Sequence, residues 1–74
     1  KAINLSTLEE LASKNNLTEV TFDTLVQAGF VSANDKVKIL GNGTITRALA
    51  VKANAFSKTA EAAIVAAGGS VEKL

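Results

Sequence analysis

The sequence contains no cysteine, no histidine and no tyrosine. A disulfide framework is therefore excluded, and so is a structural zinc site built from the usual cysteine and histidine ligands. General acid–base catalysis would fall to carboxylates or lysines. Glu9 and Glu10 are the only adjacent acids, and because neighbours on a helix do not face each other, they do not form a catalytic dyad. We therefore expect a protein that is not an enzyme and that uses no cofactor, metal or small-molecule substrate.

Aromatic residues and long apolar runs are also scarce. The only aromatics are Phe22, Phe30 and Phe56, and we expect all three in the core, which leaves little for stacking on bases. Any contact with nucleic acid is then expected at its backbone, through shape and phosphate charge. No apolar run approaches the roughly 18 residues of a membrane span, so we expect no membrane partner.

The length of 74 residues predicts one domain, spanning residues 1–74, with a thin core because many of its apolar residues are alanines. The first residue is Lys1 and not methionine. We therefore expect the chain to be part of a longer protein.

Charge is unevenly distributed along the chain, although the formal net charge is only +1. Residues 1–35 carry more acids than bases, whereas residues 36–60 carry no acid at all and five bases: Lys36, Lys38, Arg47, Lys52 and Lys58. This asymmetry suggests an anionic partner for the middle segment. The alternative is a set of ordinary solvated side chains.

Hydrophobic periodicity and turn residues predict short alternating strands and helices. The expected strands are Ala2–Leu5, Leu17–Val20, Val37–Leu40, Ile45–Ala53 and Ser70–Glu72, and the expected helices begin at Ser6, Phe22 and Lys58. The predicted fold class is α/β, a small single domain of irregular β-β-α and β-α units with about three short helices.

Local signals fix where these elements begin and end. Ser6 and Glu9 fit a capping box at the first helix, and Thr21 and Ser57 are good N-caps for the other two. Asn15-Asn16 can supply the left-handed residue that ends the first helix, and Gly68-Gly69 ends the third. The turn Gly41-Asn42-Gly43 predicts a tight β-hairpin between the third and fourth strands. Arg47 shares parity with the apolar face of the fourth strand, so we expect it near that strand's end or edge. The residues of that face are Ile45, Leu49, Val51 and Ala53.

Two segments are candidates for phosphate binding. The Gly41–Gly43 turn lacks the residues of a Walker motif and does not open a helix, so a plain hairpin turn is favoured. In the segment Asn54–Thr59, Ser57 and the free amides of a helix N-terminus stand beside Lys58. A helix N-terminus attracts phosphate, but a tolerated surface lysine explains Lys58 equally well.

The middle of the chain resembles the signature region of the L-fifteen family of large-subunit ribosomal proteins. The residues that carry the resemblance are Lys38-Ile39-Leu40-Gly41-Asn42-Gly43-Thr44-Ile45, Leu49-Ala50-Val51, Phe56-Ser57-Lys58-Thr59-Ala60, Ile64 and Gly68. The resemblance covers about residues 19–74 and corresponds to the family's C-terminal globular part.

The resemblance implies a non-enzymatic constituent of the cytoplasmic ribosome, active in translation as part of a ribonucleoprotein. Its partners would be 23S-type ribosomal RNA and neighbouring large-subunit proteins, and it would support late subunit assembly. By match to the family motif, Lys38, Asn42, Ser57 and Lys58 are candidate RNA-facing residues. Lys36, Arg47 and Lys52 join them on the charge argument alone.

The sequence departs from the family in one respect and leaves one alternative open. Members of the family begin with a long basic, glycine-rich arm, which is absent from these 74 residues, so RNA binding by this part is expected to be modest. The alternative function is a protein–protein module that docks a basic partner through the acidic residues Glu9, Glu10, Glu19 and Asp23.

Overall fold

The computed structural model describes all 74 residues, which form three helices and six short strands. In chain order the elements are β1 (Ala2–Asn4), α1 (Leu5–Asn15), β2 (Glu19–Val20), α2 (Phe22–Gln27), β3 (Lys38–Leu40), β4 (Ala50–Ala53), β5 (Ala55–Phe56), α3 (Lys58–Ala66) and β6 (Ser70–Lys73). The predicted α/β class of short, irregular units is confirmed.

The strands form two separate three-stranded sheets in which every pairing is parallel. The first sheet has the order β1-β3-β5 and the second the order β2-β4-β6. In the first sheet Ala2 pairs with Lys38 and Lys38 with Ala55; in the second, Ala50 lies between Glu19 and Ser70. Odd-numbered strands therefore enter one sheet and even-numbered strands the other.

The core between these elements is aliphatic. All sixteen buried residues are apolar, and no polar or charged residue is buried. The largest fully buried side chains are Leu5, Leu8, Leu25, Ile39, Leu49, Ile64, Val20, Val37 and Val51. Stability therefore comes from packing of Leu, Ile, Val and Ala against one another, as the composition predicts.

The predicted helix boundaries are largely confirmed. Asn16 ends α1 with φ 56°, the left-handed conformation expected of a helix-terminating asparagine. Thr21 caps α2 by accepting a hydrogen bond from the Thr24 amide, and the Thr24 hydroxyl accepts one from the Thr21 amide. Ser57 caps α3, and Gly68 follows that helix with φ 90°.

The predicted hairpin at Gly41–Gly43 is wrong. β3 and β4 belong to different sheets, and residues 41–49 form an irregular segment that connects them. The two glycines serve close packing instead. A Cβ at Gly41 would lie 2.6 Å from the Thr59 Cβ, and one at Gly43, whose φ is 88°, would lie 2.6 Å from the Ser6 Cβ. The segment passes between the first turns of α1 and α3, and only glycine fits at these two contacts.

The predicted capping box at Ser6 is also wrong. Helix α1 begins one residue earlier, at Leu5, and its N-cap Asn4 makes no side-chain capping bond. The Ser6 amide donates to the carbonyl oxygen of Asn42, and the Glu9 carboxylate accepts from Thr46 and not from the helix backbone. Ser6 and Glu9 therefore bond to residues distant in sequence and not to each other.

The phenylalanines are less buried than predicted. None is among the buried residues; Phe22 and Phe56 pack against the core partly exposed, and Phe30 is 40% exposed. The expectation that Phe30 is a core residue is therefore wrong, because Val31, next to it, takes the buried position.

Candidate nucleic-acid interface

The outer face of the first sheet carries a lysine among small side chains. Ile3 and Ile39 of this sheet are buried, so the neighbouring row, Ala2, Lys38 and Ala55, faces outward. The next row on the same face pairs Asn4 with Leu40. Neither row contains a carboxylate, so Lys38 has no acidic neighbour within the sheet.

A shallow cleft next to this row brings a second predicted residue into place. Lys36, Lys38 and Asn54 line it together with Lys1, Val37, Ala55 and Leu74. The Asn54 Oδ1 accepts a hydrogen bond of 2.8 Å from the Val37 amide, which holds the β3 and β4–β5 segments against each other. Lys36 and Lys38 are both exposed and form no ion pair within the chain.

Ser57 and Lys58 stand at the start of α3. The Ser57 amide donates to the Ile39 carbonyl oxygen at 2.9 Å, which fixes the helix start beside β3. The Ser57 Oγ accepts from the Ala60 amide at 3.1 Å, so Ser57 has a structural role as the N-cap. Lys58 is exposed and follows β5, whose Ala55 is the register neighbour of Lys38.

Asn42 is exposed, and both its backbone carbonyl and its side chain form hydrogen bonds. Its carbonyl oxygen accepts from the Ser6 amide, and its Nδ2 donates to the Asn4 Oδ1 at 3.3 Å. Since Asn4 belongs to the outer face of the first sheet, Asn42 lies at the edge of that surface. It is placed to border a ligand there and also to hold α1 in position.

Arg47 lies on the irregular segment and not on β4, which begins at Ala50. Its Nε is 3.7 Å from the Glu9 Oε2. The same carboxylate accepts bonds from the Thr46 amide at 3.1 Å and the Thr46 hydroxyl at 2.8 Å. These bonds, above all that from the Thr46 amide, lower the pKa of Glu9 below its ordinary value. Arg47 is therefore paired within the chain, and an incoming anion would compete with Glu9.

Lys52 is flanked by acids. Its Nζ lies 3.6 Å from the Glu19 Oε2 on β2, and Glu72 on β6 is its register partner on the other side. Because Lys52 is paired with Glu19 and has Glu72 as its register neighbour in the second sheet, it is the least suited of the seven predicted residues to contact RNA.

The structure thus divides the seven predicted residues. Lys36 and Lys38 share one cleft, Ser57 and Lys58 follow the adjoining strand, and Asn42 lies at the rim; Arg47 and Lys52 are set apart by their carboxylate partners. Sequence reasoning missed Lys1, Asn4 and Asn54 as neighbours of Lys38. The parallel pairing of β1 with β3, which brings Lys1 and Asn4 close to Lys38, was not predicted. The predicted hairpin had instead paired the third strand with the fourth.

Several acidic residues of the first 35 positions are engaged within the chain. Glu9 and Glu19 are used in contacts within the chain, and the pKa of Asp35 is lowered chiefly by the hydrogen bond from the Ser32 amide, 2.9 Å away. No group of three acidic side chains is placed to hold a metal ion, and none of the helices is long and apolar enough to cross a membrane.

Comparisons with known proteins agree on one family. The family of the ribosomal proteins 50S-L15 and 50S-L18e, together with a 60S counterpart, matches residues 2–72. A Porphyromonas gingivalis protein named large ribosomal subunit protein uL15 is 61% identical over 74 residues, all of this chain and 50% of the relative. A Bacteroides thetaiotaomicron protein of the same name is 58% identical over the same lengths. One from Azobacteroides pseudotrichonymphae is 49% identical over 71 residues, 96% of this chain and 47% of the relative. The chain spans about half the length of these relatives.

Proposed function

The chain belongs to the family of the ribosomal proteins 50S-L15 and 50S-L18e, and we propose on that basis that it is a structural constituent of the large ribosomal subunit. In this role it binds the backbone of ribosomal RNA, lies beside other ribosomal proteins and supports subunit assembly within the cytoplasmic ribosome. The relatives that cover the whole chain carry the name large ribosomal subunit protein. Such a role requires no catalysis and no cofactor.

The outer face of the first sheet is the proposed contact surface for RNA. The observation that supports it is that Lys36 and Lys38 line one cleft and form no ion pair, while Arg47 and Lys52 are paired with carboxylates. Small neighbours such as Ala2 and Ala55 allow a sugar–phosphate backbone to approach closely. Since this surface offers no aromatic ring, it recognises phosphate charge and groove shape and not base sequence.

The remaining predicted residues take lesser parts in this proposal. Lys58 adds a phosphate contact at the start of α3, Ser57 presents the helix start, and Asn42 borders the surface. Arg47 and Lys52 contribute only where RNA displaces their carboxylate partners.

The test is a titration of the 74-residue chain with a ribosomal RNA hairpin, followed by amide chemical shifts at two salt concentrations. We expect shifts at residues 36–40 and 54–58 that fade as salt rises. The variant Lys36→Gln/Lys38→Gln should bind more weakly and reduce the slope of log K against log salt by about one to two, because each phosphate contact contributes nearly one.

The matched control is Lys14→Gln/Lys73→Gln, which removes the same charge from exposed positions outside the proposed surface. If both double variants lose affinity equally, the contact is unspecific charge attraction and the assigned surface is wrong. Cosedimentation of the full-length protein with large ribosomal subunits tests the broader role, and its absence from that fraction would contradict it.

A further inference from the structure

Thr46 and Arg47 hold a carboxylate in the way that a binding site holds an anion. The Thr46 amide donates to the Glu9 Oε1 at 3.1 Å, and the Thr46 hydroxyl donates to the Oε2 at 2.8 Å. The Arg47 Nε lies 3.7 Å from the same Oε2. A backbone amide, a hydroxyl and a guanidinium therefore converge on both oxygens of one anionic group.

The carboxylate that Thr46 and Arg47 bind belongs to Glu9, a residue of helix α1. Glu9 projects from α1, whose buried residues are Leu5, Leu8, Leu11 and Ala12, so Glu9 does not belong to the packed face of the helix. Its side chain is 26% exposed and that of Arg47 is 39% exposed. Glu9 is thus free to swing into solvent without disturbing the core, and the donors it leaves are accessible from outside.

A phosphodiester matches the departing group in charge and shape. Each group carries one negative charge and two terminal oxygens, so a phosphate can take over the Thr46 donors and the Arg47 charge while the displaced Glu9 carboxylate moves into water. Arg is well suited to either ligand because its planar guanidinium binds both carboxylate and phosphate. An exposed ion pair of this kind is weak in water, so Glu9 can be displaced.

We propose that Thr46 and Arg47 form a binding site for a phosphate group of RNA, and that the Glu9 carboxylate is an internal occupant which the phosphate displaces. The RNA part rests on the function proposed above, whereas the anion site itself does not. Glu9 thereby keeps Arg47 paired in the free protein and releases it only when a phosphate is present.

The test compares Glu9→Gln with Glu10→Gln. Both variants remove one negative charge from α1, but the Glu10 side chain forms no hydrogen bond or ion pair within the chain. We expect Glu9→Gln to bind the ribosomal RNA hairpin about two- to fivefold more tightly than Glu10→Gln at low salt, the effect of one exposed ion pair. Adding Arg47→Gln to Glu9→Gln should remove that gain.

A second measurement uses the unaltered chain and inorganic phosphate, with chloride at equal ionic strength as reference. Phosphate should shift the amide signals of Thr46 and Arg47 and raise the titration midpoint of the Glu9 carboxyl, since Glu9 loses its donors. Equal effects of the two variants, together with unmoved Thr46 and Arg47 signals in phosphate, would overturn the proposal.

The outcomes separate this proposal from the broader function. If phosphate shifts Thr46 and Arg47 but the RNA hairpin does not bind, the anion site stands and the RNA role fails. If RNA binds through Lys36 and Lys38 but Glu9→Gln behaves like Glu10→Gln, the RNA role stands. The proposed displacement of the Glu9 carboxylate by phosphate is then wrong.

Discussion

The backbone amide of Ser6 donates a hydrogen bond to the carbonyl oxygen of Asn42, with 3.3 Å between nitrogen and oxygen. The first turn of a helix has amides without partners inside the helix, and the N-cap Asn4 makes no side-chain capping bond. The segment Gly41–Gly43 therefore supplies from a distance an acceptor that a capping side chain would supply locally. This contact requires the backbones to approach closely, which explains the glycines.

Substitution of Gly43 tests that contact. Gly43 and Gly29 both have positive φ, 88° and 84°, but an added Cβ would meet Ser6 at 2.6 Å in one case and nothing within 4 Å in the other. Gly29→Ala should cost about 1–2 kcal/mol of unfolding free energy through backbone strain. Gly43→Ala should cost about 1–3 kcal/mol more through overpacking. Urea unfolding of both variants measures the difference, and equal losses would show that the approach to Ser6 is not tight.

Ser57 allows its structural role to be separated from a role in RNA contact. Ser57→Ala should lower the unfolding free energy by about 1 kcal/mol because it removes the acceptor for the Ala60 amide. Ser57→Asp keeps an N-cap acceptor, so stability should be largely retained, but its negative charge should weaken binding of the RNA hairpin. Thermal unfolding and RNA titration of both variants check this. Unchanged RNA binding by Ser57→Asp would place Ser57 away from the RNA.

Neighbouring residues on α3 provide a matched test of the core. Ile64 is fully buried, whereas Val65 is 54% exposed. Ile64→Ala should cost about 2–5 kcal/mol, since it leaves a cavity in a thin aliphatic core. Val65→Ala should change stability by less than about 0.5 kcal/mol. The denaturant midpoints of the two variants measure these losses of stability. If Val65→Ala is as destabilising as Ile64→Ala, α3 packs against the core in a different way.

Acid should destabilise the protein partly through Glu9. Its pKa is lowered from the ordinary value of 4.5 by the Thr46 bonds and Arg47, so the ionised form favours the folded state. The stabilisation from Glu9 is fully present above that ordinary value and is lost as pH falls through the lower folded-state pKa. Unfolding free energy measured from about pH 6 to about pH 3 should therefore fall less steeply in Glu9→Gln than in the unaltered chain.

Thr46→Val refines the pH experiment. This variant removes the hydroxyl donor but keeps the backbone amide, which is the stronger cause of the shift. Its pH dependence should lie between those of the unaltered chain and Glu9→Gln. Identical profiles for the unaltered chain and Glu9→Gln would show that the Thr46 contact does not persist in solution.

Local sequence signals predicted the helices and the aliphatic core well, but not the exposure of the three phenylalanines. The caps Thr21 and Ser57 and the helix-ending Asn16 act through neighbours within a few positions, so their roles can be read directly from the sequence. Even in the segment wrongly predicted as one long strand, the residues predicted to share an apolar face, Ile45, Leu49, Val51 and Ala53, are all buried. The alternation of residue types therefore identified which residues face the core, although residues 45–49 are not part of a strand.

Strand pairing could not be predicted in the same way. Gly41-Asn42-Gly43 satisfies the requirements of a hairpin turn, but glycine is equally required where Gly41 meets Thr59 and Gly43 meets Ser6. Likewise Glu9 suits a capping box with Ser6, yet Thr46, far along the chain, offers two donors. In both cases a partner distant in sequence prevailed over a local one, and sequence patterns do not reveal such partners.

The candidate site shows the same limit. Charge counting selected all five cations of residues 36–60 without distinguishing them. Only the fold reveals that Arg47 and Lys52 face carboxylates while Lys36 and Lys38 do not. The acids concerned, Glu9 and Glu19, come from the first third of the chain, so the segment is acid-free in sequence but not in space.

The alternation of strands between two sheets also constrains how the protein can fold. β5 completes the first sheet only after β4 has been made, and β6 completes the second sheet at residues 70–73. During synthesis, neither sheet gains its last strand until most of these residues have left the ribosome, and no early segment is a finished folding unit. Because each pairing joins distant segments, folding should be slow for a chain of this size. Loss of β6 alone should expose the edge of β4 and leave the nascent chain open to misassembly.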